Sequence, residues 1–70
     1  MVINRKTFGN KIKEIRKSKK WSQTELGDKV GMTHQEISRI ENGLHNIGIE
    51  TLAMVAHALG YEIDLVKKRE

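Results

Sequence analysis

The side chains best equipped for recognition chemistry lie between His34 and Asn42. On a helical wheel of about 100° per residue counted from His34, Ile37 and Ile40 point to about 300° and 240°, the direction of a core. Gln35, Asn42, Ser38 and Arg39 gather around the opposite direction, about 90°, with His34 at the margin. A merely solvated helix face, the competing reading, more often carries Glu/Lys pairs. This one carries amides, a hydroxyl and a guanidinium. An amide can bond adenine N6 and N7 bidentately, and a guanidinium can do the same at guanine O6 and N7. Gln35 and Arg39 are therefore candidates for reading base edges, with His34 and Ser38 able to donate or accept at several.

Other chemistries find little support. His34, His45 and His57 match no common metal spacing, and the absence of cysteine removes thiolate zinc sites and disulfides. Ser18, Ser22 and Ser38 have no base placed to activate them. No acid/base pair or nucleophile stands out, so neither an enzyme nor a cofactor or metal is expected.

The elements that must hold the ridge are written in the caps. Ser22-Gln23-Thr24-Glu25 and Thr33-His34-Gln35-Glu36 are both capping boxes, flanked by the staples Trp21/Leu26 and Met32/Ile37. Only Gly31 and Met32 separate Val30 from the second cap, a linker that forces two short helices into a helix-turn-helix corner. Phe8, Ile12 and Ile15 mark a first helix over roughly Thr7 to Lys19. Leu52, Val55, Ala56 and Leu59 mark a fourth from about Ile49 to Leu59, closed by Gly60. Gly27, inside the second helix, is expected to let helix three approach closely. The assigned core is Phe8, Ile12, Ile15, Leu26, Val30, Ile37, Ile40, Leu52 and Leu59. Tyr61, Ile63 and Leu65 alternate with polar residues, predicting a short β-strand over 61–66 rather than a fifth helix. The expectation is one all-α, four-helix domain over 1–70, with its core at 7–60 and a terminal strand.

Charge is segregated along the 70 residues. The sum is +4, but Met1 to Lys20 carry +7, Trp21 to Val66 carry −5, and the last four residues +2. If the acidic middle docks on phosphate, it does so through a few placed groups rather than bulk attraction. Gln23 opens the second helix, where free amides and the dipole favour an anion. The basic run Arg16 to Lys20 reads first as a helix C-terminus complementing its dipole, and Trp21 as packing. No apolar run approaches a membrane span and the N-terminus lacks a secretory signal, so a cytoplasmic location without membrane contact is expected.

The run from Ser22 to Thr33, closing in Ile37-Ser38-Arg39-Ile40-Glu41-Asn42-Gly43, resembles the lambda-repressor and Cro-like (XRE-type) helix-turn-helix regulators. The resemblance continues to Ala58-Leu59-Gly60. It implies a compact helical domain that places helix three in the major groove of double-stranded DNA, usually as a homodimer on a palindromic operator, and so acts as a repressor. It further implies a phosphate contact from the Gln23 amide. Thr33, Asn42, Gly43, His45 and Asn46 are weaker candidates for the same role. Arg16 and Glu41 match a pair that bridges helix one and the end of helix three in relatives. The family often has alanine where Gly27 stands, a basic residue at Leu44 and proline at Ile47. The tail resembles that of HipB-type antitoxins, whose terminal strand pairs with its twin, which implies dimerisation through Tyr61, Ile63 and Leu65. The alternative function is an antitoxin that neutralises a toxin protein and represses its own operon.

Overall fold

The computed structural model describes residues 5–44 and 48–63. They form α1 (Arg5–Ser18), α2 (Gln23–Val30), α3 (His34–Glu41) and α4 (Ile49–Ala58). The all-α, four-helix architecture agrees with the sequence expectation. No described helix is long and apolar enough to cross a membrane.

Both capping boxes close. The Ser22 hydroxyl accepts the Glu25 amide at 3.0 Å while the Ser22 amide donates to Glu25 Oε1 at 3.1 Å. Thr33 and Glu36 repeat the exchange at 3.1 and 3.3 Å. Each box satisfies orphan amides that a helix start otherwise leaves to water. The α2–α3 corner is then fixed by the Met32 amide, which donates back to the Gly27 carbonyl at 2.9 Å across left-handed Gly31. Gly27 is needed for this turn: a Cβ there would collide with the Met32 carbonyl oxygen. The close neighbour is thus the turn backbone, and not helix three itself as the sequence suggested.

Each helix ends in the same wrap, with the residue just after a left-handed position donating back to a carbonyl five positions earlier. Three of these ends use glycine for the left-handed position, and the first uses Lys20 at φ 60°. An L-residue with a Cβ is disfavoured there by about 1–2 kcal/mol.

Ile12, Leu26, Val30, Ile37, Ile40, Val55 and Leu59 form the buried core. Of the residues assigned to it from sequence, Phe8, Ile15 and Leu52 are only half-buried. Four short helices cannot enclose every apolar side chain, so Phe8 and Ile15 instead line an open groove with Ala56, Leu59 and Tyr61. Gly9, a position the sequence reading passed over, lies against the end of α3. A Cβ there would strike the carbonyl oxygens of Ile40 and Glu41.

Of the strand expected over 61–66, Tyr61, Glu62 and Ile63 are described and form no strand, while Leu65 and Val66 lie outside the described residues. The Tyr61 amide donates to the Ala56 carbonyl at 2.9 Å, completing the α4 terminus rather than starting a ladder. A strand needs a partner edge, and the described residues supply none.

Two substitutions test this frame. Lys20→Gly is expected to stabilise the chain by about 0.5–1 kcal/mol, the relieved strain less the added chain entropy. Gly9→Ala is expected to cost about 1–3 kcal/mol by overpacking against α3. Both are read from chemical denaturation midpoints at unchanged slope.

Candidate nucleic-acid interface

The third helix turns two unlike faces outward and inward. Ile37, Ile40 and Glu41 are buried, while His34, Gln35 and Arg39 are exposed and Ser38 is half-exposed. The angular separation follows from the spacing of the isoleucines, since the core claims one direction and leaves the other to polar groups. Among the described residues, none bonds the His34, Gln35 or Arg39 side chain, and all three carry free hydrogen-bonding groups.

Glu41 anchors the C-terminal end of that ridge. Its carboxylate receives Arg16 Nε at 2.6 Å on one oxygen and Arg16 Nη2 at 3.0 Å on the other. The Gln23 amide nitrogen adds a third bond at 3.1 Å. Arg16 Nη1 turns to the Trp21 carbonyl at 2.7 Å. The side chains of Arg16 and Glu41 are 8% and 1% exposed. No buried side-chain polar atom among the described residues lacks a partner. Burial of a charge pair is tolerable on those terms, because bidentate geometry and extra donors replace lost water. One cluster therefore ties α1, the start of α2 and the end of α3 to one another.

The cluster also sets the orientation of Gln23. An amide facing a carboxylate must offer its nitrogen, so the carbonyl oxygen and the second amide hydrogen are left for other partners. The remaining residues expected at phosphate are differently disposed. The Thr33 hydroxyl donates to Glu36 Oε1 at 3.2 Å. Asn42 Nδ2 donates to the Ser38 carbonyl at 2.8 Å and lies 3.4 Å from the Ser38 hydroxyl. The Gly43 amide donates to the Ile40 carbonyl at 3.1 Å. These donors are engaged inside the helix-turn-helix, and of the described phosphate candidates only Gln23 keeps one in reserve. His45 and Asn46 lie outside the described residues. Leu44, just before them, is 65% exposed.

Three contacts escaped the sequence reading. The Trp21 carbonyl as an acceptor for Arg16 depends on the left-handed turn at Lys20, which no residue type announces. Trp21 also has Lys29 Nζ at 4.5 Å and Lys19 Nζ at 5.5 Å from its ring centroid. Such cation–π contacts contribute about 0.5–1 kcal/mol at exposed sites. The staple indole thus gathers Lys19, from the basic first stretch, and Lys29, from the acidic middle.

Glu41→Gln at this cluster leaves Arg16 buried without a counter-charge, and a loss of about 3–5 kcal/mol is expected. Replacing both partners by apolar residues, Arg16→Met with Glu41→Leu, should recover most of that loss in thermal or chemical unfolding. A single variant as stable as the unsubstituted chain would show that the pair is not buried in solution.

Comparison with known proteins gives these features a setting. A family model described as helix-turn-helix matches residues 12–66. The immunity repressor protein of Bacillus phage phi105 is 34% identical over 64 residues, which are 91% of this chain and 44% of that protein. The chain thus spans less than half the length of that relative. Among solved structures, the clp gene regulator ClgR from Corynebacterium glutamicum superposes with a TM-score of 0.82 at 28% identity, covering 87% of this chain and 78% of its own. A chain of the HipA-HipB-O2-O3 complex superposes at 0.84 with 25% identity, covering 99% of this chain and 97% of its own. The tandem capped helices, the match across most of the chain and the shared fold lead to one conclusion: the chain belongs to the helix-turn-helix family of lambda-repressor and Cro-like DNA-binding transcription regulators.

Proposed function

We propose that the chain is a sequence-specific repressor that binds a palindromic operator on double-stranded DNA as a homodimer, in the cytoplasm, with α3 in the major groove. The observation that supports this reading is the outward ridge of α3, whose His34, Gln35 and Arg39 side chains are unbonded among the described residues, held at its start by the Thr33–Glu36 box and at its end by Glu41. Preorganised donors lose little side-chain freedom on binding, so more of their interaction energy survives as affinity. Gln35 and Arg39 supply bidentate base readout, with His34 and Ser38 beside them. Gln23 leads the phosphate contacts, because it opens α2, where helix amides favour an anion, and retains a free amide hydrogen. Thr33, Asn42 and Gly43 contribute only by exchanging an internal bond for an external one, and His45 and Asn46 extend the set along the loop. In the dimer, two copies of α3 lie about 34 Å apart, one turn of duplex. Residues 61–66, of which Tyr61 to Ile63 form no strand in the single chain, become one by pairing with the twin, using Tyr61, Ile63 and Leu65.

A second reading is favoured by the likeness to a chain of the HipA-HipB-O2-O3 complex along nearly the whole length. On that reading the chain is an antitoxin that also sequesters a toxin protein. Copurification of a stoichiometric partner from the native host supports it, and a DNA-bound homodimer free of any partner counts against it.

The test of the main reading is selection of bound sites from a random duplex library, followed by titration of the selected site. Gln35→Ala and Arg39→Ala should each erase about 1–3 kcal/mol of discrimination at one base position of each half-site while leaving the fold intact. Gln23→Ala should weaken all sequences alike and make binding less dependent on salt. An unaltered base preference in both ridge variants would remove α3 from readout.

A further inference from the structure

Asn42 and Gly43 form the one Asn-Gly pair of the chain, at the junction where α3 ends. Glycine has no side chain, so the amide nitrogen between the two residues is unhindered. A nitrogen so placed can attack the asparagine side-chain carbonyl and close a five-membered ring. Asn4, Asn10 and Asn46 precede arginine, lysine and isoleucine, whose side chains crowd the corresponding nitrogen. Asn42 is exposed, so the water and base that the reaction uses have access to it.

The fold holds the reacting groups apart. At ψ 2° the backbone nitrogens of Asn42 and Gly43 eclipse each other across the Cα–C bond. Tetrahedral geometry then sets the Asn42 Cβ about 120° away, whereas ring closure needs Cβ to take the eclipsed place. Three hydrogen bonds oppose that rotation. The Gly43 amide donates to the Ile40 carbonyl at 3.1 Å and the Leu44 amide to the Arg39 carbonyl at 2.8 Å. Asn42 Nδ2 donates to the Ser38 carbonyl at 2.8 Å. All three lie in the last turn of α3 and its wrap, and unwinding that turn breaks them together.

We propose that Asn42 is a self-modification site, gated by opening of the last turn of α3, whose conversion to aspartate or isoaspartate disables the DNA face. Once the turn opens, the Gly43 nitrogen gives its proton to base and bonds Asn42 Cγ. The Cγ–Nδ2 bond breaks, and the departing nitrogen takes up a proton and leaves as ammonia. Water then opens the succinimide at either carbonyl, giving aspartate or isoaspartate. Both products lose the Nδ2 donor and set a carboxylate at the negative end of the α3 dipole. Isoaspartate also adds one carbon to the main chain at position 42, which misaligns the Gly43 and Leu44 amides with their carbonyls. The loss of binding rests on the DNA reading, and the chemistry does not. On that reading, the new charge faces phosphate at the end of the ridge that carries Arg39.

Ageing the 70-residue chain at mildly alkaline pH, native and in urea, tests the site by peptide mapping and isoaspartate labelling. In urea, Asn42 should convert ahead of the other three asparagines. In the native chain it should convert about 10- to 100-fold more slowly, the factor that two or three net hydrogen bonds supply. Asn42→Gln, which needs a six-membered ring, should stay unconverted at that position in both samples. Equal native and urea rates overturn the gate. Native protection beyond about 1,000-fold overturns the site, because the last turn then does not open separately from the whole fold. The converted chain and Asn42→Asp should each bind the duplex selected from the random library about tenfold more weakly. Unchanged affinity in either overturns the disabling role and leaves base readout to the Gln35→Ala and Arg39→Ala comparison. An unsubstituted chain that binds no duplex refutes the DNA reading while the conversion chemistry stands.

Discussion

A single ion pair sealed from solvent holds the ends of three helices in one place. Glu41 is the last residue of α3, Arg16 lies near the end of α1, and Gln23 is the first residue of α2. Without that junction, the C-terminal end of the presented ridge would be fixed by apolar contacts alone. Those set distance well and rotation about the helix axis poorly, because hydrophobic attraction has no direction. Hydrogen bonds to both oxygens of one carboxylate supply the missing orientation. Gly9 belongs to the same device, since α1 reaches the end of α3 closely only where a side chain is absent.

The other end of α3 is governed by local chemistry. Thr33 and Glu36 consume each other's donors and acceptors, so the helix start is stable before any partner arrives. The result is a short rod clamped at both ends whose exposed groups are spare and whose flanking groups are occupied. This division separates the free groups from those that support the fold. His34, Gln35 and Arg39 can act on a ligand without weakening the fold, whereas Thr33, Asn42 and Gly43 cannot act without opening a bond the fold uses.

How much of this could be read from the sequence depended on how local each cause is. Both capping boxes, the corner at Gly31 and the two faces of α3 follow from neighbours within one or two turns, and the string of residue types shows them directly. The Arg16–Glu41 junction spans 25 positions, and only the family resemblance pointed to it. Gly9 gave no signal because its reason is the backbone of another helix. The donors engaged at Asn42 and Gly43 were also hidden, since residue type gives bonding capacity but not whether that capacity is already used. Phe8, Ile15 and Leu52 carry core-like periodicity yet sit at the margin, because periodicity reports direction and not how much neighbouring structure lies there.

The uneven endings of the helices imply an order of opening. The second and third helices begin with reciprocal caps, while α4 begins at Gly48 with no side-chain cap and rests chiefly on α2. Amide protons of α4 should therefore exchange with solvent through a cheaper, sub-global fluctuation than those of the corner. A molecule built this way can let its last helix breathe while the portion bearing Gln35 and Arg39 stays intact.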